Sequence, residues 1–251
     1  MDISISRRNL FKASGVAAAG VVGASLLTGC QKEGAVAVKD WKDKKCVQIG
    51  DSITWYDGNT TPKGDKQVGY ASYLRSIFKE VDNKAVSGAA IAYHSESKYE
   101  DVSQTVDNVN FADYDFCTIA AGLNDCQYQF SPMGSLTKEN FDKTTFYGGY
   151  QYILNKIYKD NPGIQLMMVT PLKSKKINTP EYKNKLGYNL MDYVKAVREI
   201  AEVYSIPLLD FYEIGGFNDY TFDTYTIDGL HPNNTGFEML SRKMVSFIQG
   251  L

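Results

Sequence analysis

Short apolar runs that stop abruptly at glycine or small polar residues, separated by stretches with helical spacing, constrain this chain more than any other feature. The first run, Cys46-Val47-Gln48-Ile49, is rich in strand-favouring residues and halts at Gly50-Asp51-Ser52. A short strand is expected near 84–86, and further strands over 115–121, 164–170 and 206–211. Between them, Tyr70, Tyr73, Leu74, Ile77 and Phe78 recur three or four residues apart and predict a helix over 69–80. The same spacing predicts helices over 149–160, from about Leu190 to Tyr204, and over 235–249, the first stopped by Asn161-Pro162-Gly163. Strands alternating with helices fold as a parallel sheet with helices on both faces, because a parallel crossover needs a helix's worth of chain. No internal repeat or linker divides this part, so the segments 55–68, 93–110, 126–146 and 171–188 read as loops inserted on one sheet.

Composition bounds the chemistry. The 251 residues, 43% of them hydrophobic, suffice for one domain with a real core and a short extension. Net charge is −2, and since Arg7, Arg8 and Lys12 outweigh Asp2 in the first 29 residues, the remainder is mildly acidic. A nucleic-acid surface would need clustered base, so no nucleic-acid partner is expected. Four cysteines without a Cys-x-x-Cys unit make neither a disulfide scaffold nor a zinc site. Cys46 and Cys117 fall in core strands and read as buried thiols, while a pairing by Cys126 stays open. There is no phosphate loop, dinucleotide fingerprint or Gly-x-Ser-x-Gly elbow, so neither cofactor nor metal is expected. Any histidine chemistry must use His94 or His231, the only two in the chain.

The first thirty residues read as an address. Ser6-Arg7-Arg8-Asn9-Leu10-Phe11-Lys12, followed by a weakly apolar run from Ala13 to Leu27, resembles a twin-arginine export signal. Leu27-Thr28-Gly29-Cys30 resembles a bacterial lipobox, which implies lipidation of Cys30 and cleavage before it. The apolar stretch is short for a bilayer span of about 20 residues. Residues 31–44 follow as a polar tether.

Four stretches carry candidate chemistry. Ser52 stands at the carboxyl end of the first strand, the edge where ligands bind in open α/β sheets. Asp228-Gly229-Leu230-His231 puts an acid three residues before a histidine in a turn, so the carboxylate can take the Nδ1 proton and leave Nε2 free as a base. Gly122-Leu123-Asn124-Asp125 ends the third strand at the same edge, and the Asn124 amide could donate to a developing oxyanion. Gly88 follows the second strand with its N–H uncovered by any side chain. Each stretch alone is more often a turn or a cap.

Together, Gly50-Asp51-Ser52, Gly88, Gly122-Leu123-Asn124-Asp125 and Asp228-Gly229-Leu230-His231 resemble, in order, the four blocks of the SGNH hydrolases, also called GDSL esterases and lipases. Ile53 replaces the common leucine. The resemblance implies a flavodoxin-like three-layer α/β/α sandwich around a mostly parallel five-stranded sheet. It implies Ser52 as nucleophile, His231 as general base and Asp228 as its orienting acid. The oxyanion hole would combine the Ser52 N–H, the Gly88 N–H and Asn124, with Asp51 and Asp125 shaping the turns behind them. The chain then divides into an export signal (1–29), a lipid-anchored tether (30–44) and the hydrolase domain (45–251).

The expected function is hydrolysis of short acyl esters, acetyl above all, on carbohydrate, by an exported lipoprotein held to a membrane through Cys30. The polar, Tyr-rich loops motivate that choice: Tyr56, Tyr93, Tyr128 and Tyr147 lie near the expected site, where aromatic faces stack on sugars. A lysophospholipase or lipase would want a broad apolar groove, for which the loops contain no long apolar run. A catalytically idle glycan-binding lipoprotein need not keep all of Ser52, Asp228 and His231. His94, in a polar stretch, reads as a loop residue or a rim contact.

Overall fold

The computed structural model describes residues 40–177, 179 and 181–251; the expected signal, Cys30 and most of the expected tether lie outside the described residues. Five strands form one sheet: β1 (Lys45–Gly50), β2 (Glu80–Asn83), β3 (Phe116–Ala120), β4 (Gln165–Val169) and β5 (Leu208–Leu209). Their order is β2-β1-β3-β4-β5 and every pairing is parallel, so the sheet is wholly rather than mostly parallel. This is the flavodoxin-like order, in which the chain reverses its winding between β1 and β3. Central strands buried on both faces read as near-continuous apolar runs, here interrupted only by the buried Gln48 in β1 and Thr118 in β3, which is why β1, β3 and β4 are visible in the sequence.

The helices are α1 (Ser52–Trp55), α2 (Tyr70–Leu74), α3 (Val102–Thr105), α4 (Leu123–Gln127), α5 (Phe146–Asp160), α6 (Leu190–Val203), α7 (Phe211–Ile214), α8 (Phe222–Tyr225) and α9 (Asn234–Gln249). They pack as two groups, α2 and α8 with α9, and α3, α4, α5 and α6 together, which gives the expected layers about the sheet. The long helices start on side-chain caps: Thr145 accepts from Gly148 N–H, Asn189 from Asp192 N–H and Asn233 from Gly236 N–H. None of the helices among the described residues is long and apolar enough to cross a membrane.

Two expectations along the chain need correction. The helix expected over 69–80 ends at Leu74, and the second strand is Glu80–Asn83 rather than 84–86. Ile77 and Phe78 are buried as the spacing implies, but from a turn. Glu80-Val81-Asp82-Asn83 is a weak strand sequence, and its place at the sheet's edge explains why: an edge strand is short and charged, here with Glu80 paired to Lys45 at 2.9 Å. The fold also takes in the end of the expected tether. Trp41 is buried, meets Phe78 at a tilt and Phe116 edge to face with ring centres 5.3 and 5.0 Å apart, and donates from Nε1 to the Ile248 carbonyl at 3.2 Å.

Candidate active site

β1, β2 and β3 bring Ser52, Gly88 and Asn124 to one edge of the sheet, at the point where the winding reverses. Asp51 caps α1, its carboxylate accepting from Ile53 N–H at 3.0 Å, which leaves Ser52 as the first helical residue. At that position a backbone N–H has no acceptor within the helix. Gly50 must be glycine: a Cβ there would stand 2.7 Å from both the Ala120 carbonyl oxygen and Thr54 Oγ1.

The histidine arrives from a loop far along the chain. Residues 226–232 close on themselves, with Ile227 N–H donating to the His231 carbonyl at 2.7 Å and Gly229 N–H to Thr226 Oγ1 at 2.9 Å. Asp228 accepts from His231 twice, at Nδ1 and at the backbone N–H, both 2.9 Å, and from Leu230 N–H at 3.1 Å. Burial works against ionising Asp228, but these hydrogen bonds and the attraction of the imidazole outweigh it and hold the carboxyl at about 2. With Nδ1 committed to the carboxylate, Nε2 faces Ser52 Oγ at 2.9 Å. The ring edge packs on Tyr56, 5.0 Å between centres.

Asn124 and Gly88 sit opposite. One amide hydrogen of Asn124 goes to the Ala89 carbonyl at 2.8 Å, which fixes the side chain and leaves the other hydrogen unspent. Gly88 takes the left-handed φ of +85° and lies under the ring of Tyr99, and its N–H makes no hydrogen bond within the described residues. Asp125 is fully buried: it accepts from Ile91 N–H at 2.8 Å, Ala92 N–H at 3.1 Å and Ser131 Oγ at 2.6 Å. Burial pushes its carboxyl above the usual range despite those bonds. Asp125 therefore ties the 88–92 turn to α4.

A cleft of about 550 Å³ opens over these groups, lined by Ser52, Gly88, Asn124 and His231 and walled by Ser87, Glu96, Ser97, Lys98, Tyr99, Tyr128 and Gln129. Gln129 Nε2 donates to Ser97 Oγ at 3.2 Å and joins the two walls. Of the tyrosines singled out in the sequence, Tyr128 lines the cleft and Tyr56 supports His231, whereas Tyr147 hydrogen-bonds Glu199 and Tyr93 lies near Lys143, away from the cleft. Tyr99 was missed, because nothing in the sequence places a loop tyrosine over Gly88. Cys46, Cys117 and Cys126 are buried free thiols. No group of three or more His, Cys, Asp or Glu among the described residues is arranged to hold a metal ion.

A serine, histidine and aspartate in hydrogen-bonded series at the switch point of a parallel sheet define a serine hydrolase of flavodoxin-like fold. Residues 49–239 match the model of the GDSL-like Lipase/Acylhydrolase family, and the chain belongs to that family of serine ester hydrolases. No curated protein matches the sequence. One solved structure superposes with a TM-score of 0.74 at 26% identity, covering 85% of this chain and 99% of that one. A protein from Lactobacillus plantarum follows at 0.69 and 26%, covering 83% and 98%. The acetyl xylan esterase AlAXEase shares the fold at 0.56 and 22%, covering 80% and 98%.

Proposed function

We propose that this ester hydrolase removes short acyl groups, acetyl foremost, from carbohydrate through a covalent acyl-enzyme. The observation that carries the reading is the unbroken series Ser52 Oγ, His231 Nε2, His231 Nδ1 and Asp228 Oδ2, both gaps 2.9 Å, opening onto a cleft walled by polar and tyrosine side chains. Ser52 attacks the ester carbonyl as His231 takes its proton, and Asp228 steadies the imidazolium. The oxyanion is received by the N–H groups of Ser52 and Gly88 and the spare hydrogen of Asn124. His231 then returns the proton to the departing sugar hydroxyl. Water, deprotonated by the same imidazole, releases the acid and restores Ser52. Tyr99 and Tyr128 offer partly exposed rings to a pyranose face, and the walls supply donors and acceptors for its hydroxyls.

Acetate release from a panel of acetylated glycans, with p-nitrophenyl esters of increasing chain length alongside and Ser52→Ala as control, tests the reading. Release from a glycan and a preference for acetate support it; a clear preference for long chains overturns the acetyl assignment. We further propose residues 1–29 as an export signal and Cys30 as the site of a lipid anchor for a tether reaching to residue 44. Incorporation of a labelled fatty acid that vanishes in Cys30→Ala is expected, and absence of label from the parent chain refutes it.

A further inference from the structure

His94 takes no part in the chemistry above and does not line the cleft. It stands instead between two carboxylates, Asp101 at the start of α3 and Asp125 on α4, neither with any exposed surface. These two acids together accept three consecutive backbone N–H groups: Ala90 donates to Asp101 Oδ1 at 3.2 Å, Ile91 to Asp125 Oδ2 at 2.8 Å and Ala92 to Asp125 Oδ1 at 3.1 Å. The turn so gripped begins at Gly88, and its Ala89 carbonyl holds the Asn124 amide. Every oxyanion donor apart from the Ser52 N–H is therefore placed by this frame.

The ring of His94 joins the two acids. Its backbone N–H donates to Asp101 Oδ2 at 2.8 Å, and its Nδ1 lies 3.6 Å from the same oxygen. Nδ1 faces the Ala92 carbonyl at 3.0 Å, and a carbonyl only accepts, so Nδ1 carries hydrogen. Nε2 faces Ser131 Oγ at 3.4 Å, while the single hydroxyl proton of Ser131 goes to Asp125 Oδ1 at 2.6 Å. With Asp125 ionised, Ser131 can then only accept from His94, and a hydrogen on Nε2 is the arrangement that makes this contact favourable. A ring that donates from both nitrogens is an imidazolium.

We propose that His94, as a cation, is a positioning residue of the active site: by bridging Asp101 and Asp125 it holds the 88–92 turn in the geometry that aims Gly88 and Asn124. The inference rests on the reading of those two residues as oxyanion donors. The titratable groups facing the ring are Asp101 and Asp125. The Asp101 carboxylate beside Nδ1 comes first in raising its pKa; burial opposes, and the charge of Asp125 and the Ala92 carbonyl add to the rise. The sign follows: the clamp is fully charged below an ordinary histidine's pKa of about 6.5 and is lost as pH rises through the higher folded value.

His94→Gln in the full chain, assayed on p-nitrophenyl acetate across pH with the Ser52→Ala background subtracted, is the test. The parent should show an alkaline limb in kcat. The variant should lose that limb and fall roughly 10- to 100-fold in kcat with KM little changed, as slight misplacement of reacting groups does. An unchanged kcat with the parent's alkaline limb overturns the proposal. Should His94→Gln fail to fold, Ser131→Ala removes only the link to Asp125 and should move kcat the same way; full activity there counts against the clamp. Ring NMR of His231→Gln supplies a readout independent of turnover, since His94 is then the only histidine. Titration above an ordinary histidine supports the proposal and titration at or below it refutes it. Full activity in Asn124→Ala would instead remove the oxyanion reading while leaving that titration in place.

Discussion

Gly88→Ala puts a methyl group where the structure has no room for one. The added Cβ would stand 2.6 Å from Tyr99 Cδ2, 2.7 Å from Cε2 and 2.9 Å from Cγ. Because Cγ is among these atoms, turning the ring about its own axis gives no relief; the whole side chain must move. Alanine at a φ of +85° carries a further strain of about 1–2 kcal/mol. Tyr99 is 39% exposed, so displacing it forfeits only part of an aromatic's burial energy, about 1 kcal/mol. The sum, about 2–3 kcal/mol, lowers the melting temperature by about 4–12 °C for a chain of this size. If the Gly88 N–H receives the oxyanion, its displacement also costs up to about 10²–10³ in kcat. Thermal melts and p-nitrophenyl acetate kinetics on Gly88→Ala, Tyr99→Ala and the double variant separate the terms. The double variant should regain about 1 kcal/mol relative to additivity, because the clash is gone while the backbone strain stays. A kcat for Gly88→Ala within twofold of the parent, in a protein that shows the thermal shift, would remove Gly88 from the oxyanion hole. Strict additivity would refute the clash.

Three other outcomes follow from the same geometry. Ser52→Ala should fold normally and lose on the order of 10⁶ in kcat, as loss of the nucleophile does elsewhere, and substantial surviving turnover would exclude it as the nucleophile. Asp228→Asn should lose about 10⁴ in kcat by releasing the imidazole into the wrong tautomer. In the parent, the stability contributed by Asp228 is present above an ordinary carboxylate pKa of about 3.9 and is lost as pH falls through about 2; acid denaturation of Asp228→Asn should lack that limb. Asp51 behaves in the opposite sense. Burial, against the Ile53 N–H and the nearby imidazole, raises its carboxyl to about 7, so the folded protein holds a proton the unfolded chain releases, and stability falls as pH rises from about 3.9 to about 7. Asp51→Asn keeps the helix cap and should flatten melting temperature across that window; a slope equal to the parent's refutes the assignment.

What was legible in the sequence was whatever local chemistry dictates. β1, β3 and β4 are buried on both faces, so their residues are mostly apolar, with Gln48 and Thr118 as buried exceptions, and β1 and β3 end where a helix cap or glycine turn begins. Ser52 and Asn124 follow such strands directly and were placed by them. β2 was misplaced because an edge strand satisfies only one neighbour and can spend its residues on charge; Lys84–Val86 looked more like a strand than Glu80–Asn83. The helix over 69–80 failed for a related reason, since Ile77 and Phe78 reach the core from a turn and imitate helical spacing. α4 was hidden for another: five residues with Asn124 and Asp125 in the first turn carry too little periodicity to register.

The walls and supports of the site obey a different rule. Tyr99, Asp101 and His94 lie on a segment without an apolar pattern, and their positions are set by hydrogen bonds to backbone groups and by packing against residues distant in sequence. Two carboxylates that cap the N–H groups of Ala90, Ile91 and Ala92 leave no mark on the spacing of their neighbours. Hence His94 read as a loop residue or a rim contact, although in the fold its ring lies beside Asp101 and reaches Asp125 through the Ser131 hydroxyl. Ser52 and His231 are placed by strand ends and a self-closing turn, which sequence can show. Gly88 and Asn124 opposite them are placed by the frame of buried acids behind the cleft, which only the folded chain assembles. Substitutions in that frame should therefore alter kcat without touching substrate, since His94 answers to Asp101 and, through Ser131, to Asp125, and lies outside the cleft.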